Sequence, residues 1–577
     1  MIFCVLAIGL SIVGINADPA VPPKLLLISL DGLRYDFITP ERTPALWFLS
    51  RHGVFFERGV KVQVHTVTAS NHYSIVTGLY QESHGIIDND FWDPVFNDTY
   101  DVWNFRSNDT TYKRSKLAYW YRGTTPVWQT NEEPKYSKGY DAKNQRRSGS
   151  LYWPMGDCFI NNQRISRNLT WLDYGNVYVW RKEIDTMINW LTDDKEPINF
   201  LMYYNAQPDH IEHSSDVYGP ATGSTIDEID ATVGYMMERL RETNLLDKIN
   251  IILTADHGHT NIPDKDHLIE LGDYLDYQRV IVNGRSVFPK PNSGVTAEEI
   301  YDNLTRAQRE RRYPMQVWRK EEFPAHYHFA NNRRVGPVLV YEDLHYLLLF
   351  YGSANDKKRK FPISTHGWLN HYAEMRAFLI AYGPAFKNGL IVSDRDDIEN
   401  IDIYPLMCKI LGIDPLPNNG SLDRIKFILR TDSESPTALF NWTNLYLIRM
   451  SKPENSLALT LALIPSASLL VLCLLCLITC WQQRRALRSG TDSGRGYRLL
   501  RHASPEAHID MIKRPGETAP SNGSTITSRT EAAKVLAKKI NGDKVLNSRS
   551  AFNKTDGNGP RQLVRLSDEQ SSEENEL

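Results

Sequence analysis

The chain has 577 residues and a formal net charge of −3, from 66 Lys and Arg against 69 Asp and Glu. That balance excludes a strongly basic chain and gives no argument for a surface that binds a nucleic-acid polymer. With 41% hydrophobic and 23% charged residues, it also excludes a chain disordered from end to end. The length suits one large α/β domain with appendages.

In chain order, residues 1–20 (MIFCVLAIGLSIVGINADPA) are a short apolar run followed by small residues. This reads as a secretory signal peptide over 1–17, cleaved after Ala17; an N-terminal anchor is the alternative. KLLLISL (24–30), INFLMYYNA (198–206), INIILTA (249–255) and AFLIAYG (377–383) are short, β-rich apolar runs. Such runs suit strands of a mostly parallel sheet covered by helices on both faces. Between the second and third, Ile226, Ile229, Val233, Met236, Met237 and Leu240 fall at helical spacing over 224–243, so the methionines read as core. A catalytic domain over 24–430 is followed by a polar stalk, 431–455. Residues 456–481 carry no charge and are long enough for one transmembrane helix, with Arg484, Arg485 and Arg488 directly after it. The expectation is a single-pass type I membrane protein of the cell surface, its catalytic part extracellular and residues 482–577 a disordered cytoplasmic tail with no partner specified by its sequence.

Asn97, Asn108, Asn168, Asn303, Asn419 and Asn441 begin N-x-S/T triplets upstream of that run and are candidate glycosylation sites. Of six cysteines, Cys4 lies in the leader and Cys473, Cys476 and Cys480 in the apolar run. Cys158 and Cys408 are left, either as one disulfide or as two buried thiols.

The chemistry sits where an open α/β sheet places ligands, beyond the carboxyl ends of strands. Asp31 follows the first run, Asp209 the second, and Asp256 with His257 the third. Asp209 and His213 are four apart and share a side if that stretch makes a helical turn. Asp256 and His257 are adjacent, and can serve one ion if Gly258 allows a sharp turn. His366, in STHGWLNHY, completes a set of carboxylates and imidazoles of the kind that suits zinc. Thr68, Asn71 and His72 lie in TASNHYSIVTGLYQESHGIIDN, with a helix expected from Asn71.

With these motifs in this order, together with WYRGTTPVW, YWPMGD, AYGPAF and DIYPLMCKILGIDPLPNNGS, the stretch from Leu25 to Asn419 resembles the ectonucleotide pyrophosphatase/phosphodiesterase family of the alkaline phosphatase superfamily, in particular its shorter members. The resemblance implies an alkaline-phosphatase-like α/β fold and two Zn2+ ions. One would be held by Asp209, His213 and His366, the other by Asp31, Asp256 and His257 with Thr68 as nucleophile. It further implies that Asn89 binds a phosphate oxygen, assisted by the backbone N–H after Thr68, and that Trp153, Asp157 and Tyr174 line the nucleotide pocket. The substrate class implied is a small phosphodiester or nucleotide.

The sequence departs from the family pattern beside the nucleophile, where Val67, Ala69 and Ser70 replace the usual residues. The missing aromatic at 69 removes half of a base clamp, about 1–3 kcal/mol by ordinary base stacking. Glu212 stands where the family often has glycine, and His65, His210 and His259 match no ligand position. Two further readings stay open: a lipid or choline-type phosphodiesterase, and a catalytically weak cell-surface binding protein on the same scaffold.

Overall fold

The computed structural model describes residues 22–102, 124–136, 146–161, 163–170, 175–350 and 361–431. Its centre is an eight-stranded sheet in the order Leu390–Val392, Val54–Phe56, Leu379–Tyr382, Ile249–Thr254, Lys24–Leu30, Phe200–Asn205, Ser148–Leu151, Arg167–Leu169. Seven strands run parallel to a neighbour, and Leu379–Tyr382 is antiparallel to both of its own. The three central strands are buried throughout, Lys24 alone excepted, which requires cover on both faces. Helices Val177–Leu191 and Pro44–His52 each pack on Pro220–Glu242. Ile403–Leu411 packs on the Lys24–Leu30 strand and on Thr68–Thr77.

Pro220–Glu242 covers the stretch expected to be helical except its last residue, Thr243, which is the C-cap, and begins earlier, with Pro220 at its first position where no N–H is needed. All six apolar residues singled out in it are buried. Its buried Asp230 accepts from Ala45 N (3.0 Å) and Leu46 N (2.9 Å), capping the Pro44–His52 helix from outside.

A second core lies under a four-stranded antiparallel sheet, Val280–Asn283, Ser286–Pro289, Val338–Glu342, Met315–Arg319, packed with helix Ala297–Arg311. Cys158 and Cys408 are not joined to each other, so the disulfide alternative is not formed.

The membrane assignment needs correction. No helix among the described residues is long and apolar enough to cross a membrane. The longest of them, Pro220–Glu242, has 23 residues but carries Asp227, Glu228, Glu238, Arg239, Arg241 and Glu242. The leader 1–17, the run 456–481 and the tail 482–577 lie outside the described residues, and the single-pass, cell-surface localisation is withdrawn.

Candidate active site

Lys24–Leu30 lies between Phe200–Asn205 and Ile249–Thr254, parallel to both, with Leu30 opposite Asn205 and Ser29 opposite Thr254. Their carboxyl ends therefore reach one edge together. Asp31 leaves the first strand directly, Asp256 and His257 follow the third, and Asp209 opens the short helix Asp209–Glu212 beyond the second. Asp209 N donates to Asp31 O (3.1 Å), locking two of these strand ends to each other. Gly32 permits the approach: with φ +73° and a Cβ that would meet Asp209 Cβ at 3.0 Å, it leaves no room for a side chain. Gly258 works differently from the turn expected of it. Its φ is not positive, and a Cβ there would meet Glu374 O at 2.1 Å, so close approach is what requires glycine.

Asp31, Asp256 and His257 form one cluster, fully enclosed. His257 Nε2 lies 3.5 Å from Asp31 Oδ1, 3.2 Å from Asp256 Oδ2 and 3.4 Å from Thr68 Oγ1. The other atom of each group is tied back to the protein. Tyr204 OH donates to Asp31 Oδ2, Gly32 N donates to Asp256 Oδ1 (3.2 Å), and His257 Nδ1 donates to Gly258 O (3.1 Å). Because a carbonyl only accepts, this last bond puts the proton on Nδ1 and leaves the Nε2 lone pair facing the cluster.

Thr68 is the first residue of helix Thr68–Thr77, three residues earlier than the sequence suggested. Every residue of that helix is buried, and Gly78 closes it in the left-handed region with its N–H on Ser74 O. Asn71 fixes the approach to Thr68. Its Oδ1 accepts from Gln63 N (2.8 Å) and Asn400 Nδ2 (3.0 Å), while its Nδ2 donates to His65 O (3.1 Å) and Val67 O (3.2 Å). His72 Nδ1 donates to Thr68 O (2.7 Å), and its Nε2 accepts from Ser29 Oγ (2.8 Å). Burial pushes His72 down to about 3, so this ring is a neutral strut between helix and strand.

Asp209, His213, His259 and His366 form the second cluster. Asp209 Oδ1 is 3.3 Å from His259 Nε2 and 3.4 Å from His366 Nε2, and Asp209 Oδ2 is 3.4 Å from His213 Nε2. His366 Nδ1 donates to Thr66 O (2.8 Å), again turning the Nε2 lone pair inward. His366 stacks on His257 at 3.7 Å between ring centroids, so the clusters are neighbours. The side chain of His213 is 38% exposed, so this cluster opens to solvent where the first does not.

The atoms facing the two clusters (Asp31 Oδ1, Asp256 Oδ2, Asp209 Oδ1 and His259 Nε2) have no hydrogen-bond partner in the protein. Two ligand atoms ~2.0–2.1 Å from one tetrahedral zinc lie about 3.3 Å apart, which is the spacing found in both clusters. Burial, then the charges of Asp256 and Asp209, pushes Asp31 well above the carboxylate range. Burial, then Asp209, pushes Asp256 to about 8. Buried carboxylates that repel one another in this way are satisfied by a cation. The residues present fit two divalent ions.

Asn89 lies at the start of the Thr68 helix, where its Oδ1 accepts from Ala69 N (2.8 Å). The backbone N–H after Thr68, expected to face a phosphate, is therefore already engaged, and the Asn89 Nδ2 donors are the group left to offer. Ala69 is fully buried. Trp153 is buried, its ring edge-on to His72 at 4.9 Å, and Asp157 Oδ2 accepts from Thr170 Oγ1 (2.8 Å). Tyr174, Asn108 and Asn441 lie outside the described residues. Asn97 and Asn419 are exposed, Asn168 and Asn303 half-buried. His65 is buried 3.5 Å from Asp88 and His210 is exposed, both apart from the clusters. His259 is the ligand-type residue the sequence reading passed over. The pattern Asp256-His257-Gly258-His259 was visible; what brings His259 beside His366 is the pairing of Thr260–Asn261 with Ser364–Thr365.

Comparison with known proteins agrees with this geometry. The profile of the type I phosphodiesterase / nucleotide pyrophosphatase family matches residues 25–369. The chain is 35% identical over 414 residues to the bis(5'-adenosyl)-triphosphatase enpp4 of Xenopus laevis, covering 70% of this chain and 82% of the relative. It is 30% identical over 413 residues to human ectonucleotide pyrophosphatase/phosphodiesterase family member 5, covering 71% and 78%. Among solved structures it is similar to murine ectonucleotide pyrophosphatase/phosphodiesterase 5, inactivated by a threonine-to-alanine substitution and in complex with AMP. That match has TM-score 0.61 and 29% identity, over 71% of this chain and 100% of the murine one.

Proposed function

As the chain belongs to the type I phosphodiesterase/nucleotide pyrophosphatase family of the alkaline phosphatase superfamily and is an enzyme of that class, we propose that its domain 24–430 hydrolyses phosphodiester or pyrophosphate bonds of nucleotides and dinucleotides through Thr68. In this reading one zinc is held by Asp31, Asp256, His257 and Thr68, and another by Asp209, His213 and His366. The observation that carries it is the placement of the Thr68 hydroxyl 3.4 Å from His257 Nε2, at the mouth of a cluster whose inward carboxylate oxygens, Asp31 Oδ1 and Asp256 Oδ2, have no hydrogen-bond partner in the protein.

Bound zinc supplies Lewis acidity, lowering the pKa of the Thr68 hydroxyl and stabilising charge on the attacking and leaving oxygens. The chain does the rest. Thr68 Oγ1, as alkoxide, attacks phosphorus; the new P–O bond forms as the bond to the leaving oxygen breaks, and the departing group takes up a proton. Asn89 Nδ2 donates to a non-bridging phosphate oxygen, and the N-terminus of Thr68–Thr77 turns its dipole toward the same charge. Asn71 and His72 hold Thr68 in place while this happens. Water then attacks the phosphothreonyl ester, the P–Oγ1 bond breaks, and Thr68 regains its proton. Trp153, packed against His72, and Asp157 belong to the wall on the nucleoside side.

Nucleotides are favoured because the murine neighbour is described with AMP and the Xenopus relative is named for a dinucleoside triphosphate. The second reading, a lipid or choline-type diester, is favoured by Ala69, which offers no ring for a base. Purified protein assayed against bis(5'-adenosyl) triphosphate, NAD and glycerophosphocholine, with zinc measured on the same sample, decides between them. Turnover of the nucleotides with about two zinc ions per chain is expected. Turnover of glycerophosphocholine alone selects the second reading, and a chain without zinc overturns both.

A further inference from the structure

We propose that His259 is a fourth protein ligand in the Asp209 cluster, with Glu212 as the buried carboxylate that positions its ring. The inference rests on the zinc reading above and extends it to two residues outside the family's ligand set.

The hydrogen bonds determine which nitrogen of His259 is free. Ser364 Oγ has one proton and two neighbours: the Glu212 carbonyl oxygen at 2.6 Å, which can only accept, and His259 Nδ1 at 3.0 Å. Its proton goes to the carbonyl, so the hydroxyl accepts from His259 Nδ1–H. His259 Nε2 is then a bare lone pair. It points at Asp209 Oδ1, another acceptor, across 3.3 Å, with His259 wholly buried and neither atom otherwise bonded. Two buried acceptors facing each other at that distance need a cation between them. The separation matches the other two nitrogens of the cluster, His366 and His213, both 3.4 Å from an Asp209 oxygen.

Glu212 supplies the second, independent observation. Its carboxylate is wholly buried, both oxygens lack a hydrogen-bond donor, and Oε2 sits 3.9 Å from His259 Nδ1. Ser364 Oγ, which accepts from Nδ1–H, fixes the tautomer, and Glu212 stands behind the same nitrogen as a further acidic group facing the ring. It also balances charge. One carboxylate and three neutral imidazoles leave a dication with net positive charge in a low-dielectric pocket; burial, then the charge of Asp209, pushes the Glu212 carboxyl well above the usual range, and a cation in the cluster would draw it back toward the anion. Room for Glu212 exists because Gly32 has no side chain; a Cβ there would lie 3.3 Å from Glu212 Oε2. The two departures, Glu212 and His259, thus form one unit. Three protein ligands leave a catalytic zinc an open position, whereas a fourth narrows it, so this cluster holds its ion more tightly and more closed.

The test uses full-length protein loaded with Zn2+. In a crystal structure of the wild type, His259 Nε2 is expected ~2.0–2.1 Å from the ion bound by Asp209, His213 and His366. In chelator competition, His259→Asn and His259→Ala are expected to lose one of two zinc ions about 10–100-fold more readily than wild type, and Glu212→Gln to lose it by a smaller factor. Zinc bound in that cluster with His259 Nε2 beyond about 3 Å, or unchanged zinc retention in both His259 variants, overturns this inference and leaves the proposed function standing. Absence of zinc from both clusters overturns the two together. The wild-type structure carries the test if the variants fail to fold.

Discussion

Replacing Asn71 by alanine is expected to damage folding and catalysis together, because one side chain ties the segment before Thr68 to the rest of the domain. The wholly buried carboxamide accepts from Gln63 N and Asn400 Nδ2 and donates to His65 O and Val67 O. His65 O keeps a second donor in Gln81 Nε2 at 2.7 Å, and Val67 O keeps Asn71 N and Ser70 Oγ, so these two carbonyls survive the loss, while Gln63 O loses its longer bond from Asn71 Nδ2 (3.3 Å). The Gln63 N–H and one donor of Asn400 do not survive it. Each stranded buried donor costs about 1–3 kcal/mol, giving ~2–6 kcal/mol in all, a large part of a typical stability of about 5–15 kcal/mol. A displacement of ~1 Å at Thr68 lowers turnover by on the order of 100-fold. Urea unfolding of zinc-loaded wild type and Asn71→Ala, with hydrolysis of bis(5'-adenosyl) triphosphate measured on the same preparations, reads both effects. Asn71→Asp, which turns a carboxylate toward those carbonyls, is expected to be at least as damaging. A loss below about 1 kcal/mol with wild-type turnover would refute the claim that Asn71 positions the nucleophile.

Two further outcomes follow from groups beside the site. Asp88 accepts from Asn89 N at 2.6 Å, and burial, then Asp90, raises its pKa to about 7. Since the folded carboxyl holds its proton more tightly than the unfolded one (~3.9), its contribution to stability is present below about pH 4 and lost as pH rises toward 7. Asp88→Asn, which keeps the oxygen that Asn89 uses, is expected to be more stable than wild type at pH 8 by up to ~4 kcal/mol and equal to it near pH 4; a constant difference in urea melts across that range argues against the assignment. Gly258→Ala places a methyl 2.1 Å from Glu374 O and 2.8 Å from Arg34 Cγ. It is expected to cost about 1–3 kcal/mol or more and to weaken zinc retention by moving His257; an unchanged melting temperature and zinc content would remove the close-approach argument.

The central strands were legible because each is a continuous buried run. Lys24–Leu30, Phe200–Asn205 and Ile249–Thr254 all fall within the predicted segments. Direction was not legible. Leu379–Tyr382 lies in a run of the same kind yet is antiparallel, since a strand buried on both faces carries no sign of orientation. The strand Ser148–Leu151 (SGSL), next to the edge, has no apolar run to detect. The antiparallel sheet left a signal that went unread: Asn283-Gly284 between VIV and SVFP marks a hairpin, and Gly284 has φ +54° where Asn283 pairs with Ser286. At the site, Asp31, Thr68, Asp209, His213, Asp256, His257 and His366 were singled out because their fragments keep the family's order. Glu212 and His259 were set aside because they break it, and it takes the tertiary pairing next to Ser364 to reveal them as partners.

Covalent capture tests the central claim most directly. Zinc-loaded wild type and Thr68→Ala, each mixed with bis(5'-adenosyl) triphosphate and quenched in acid, are digested and the peptide bearing residue 68 is weighed by mass spectrometry. The account predicts one nucleotidyl group on that peptide in the wild type and none in Thr68→Ala, which retains its zinc but hydrolyses at least ~10³-fold more slowly. A Thr68→Ala protein that turns over at the wild-type rate, with no adduct formed by either chain, would contradict it.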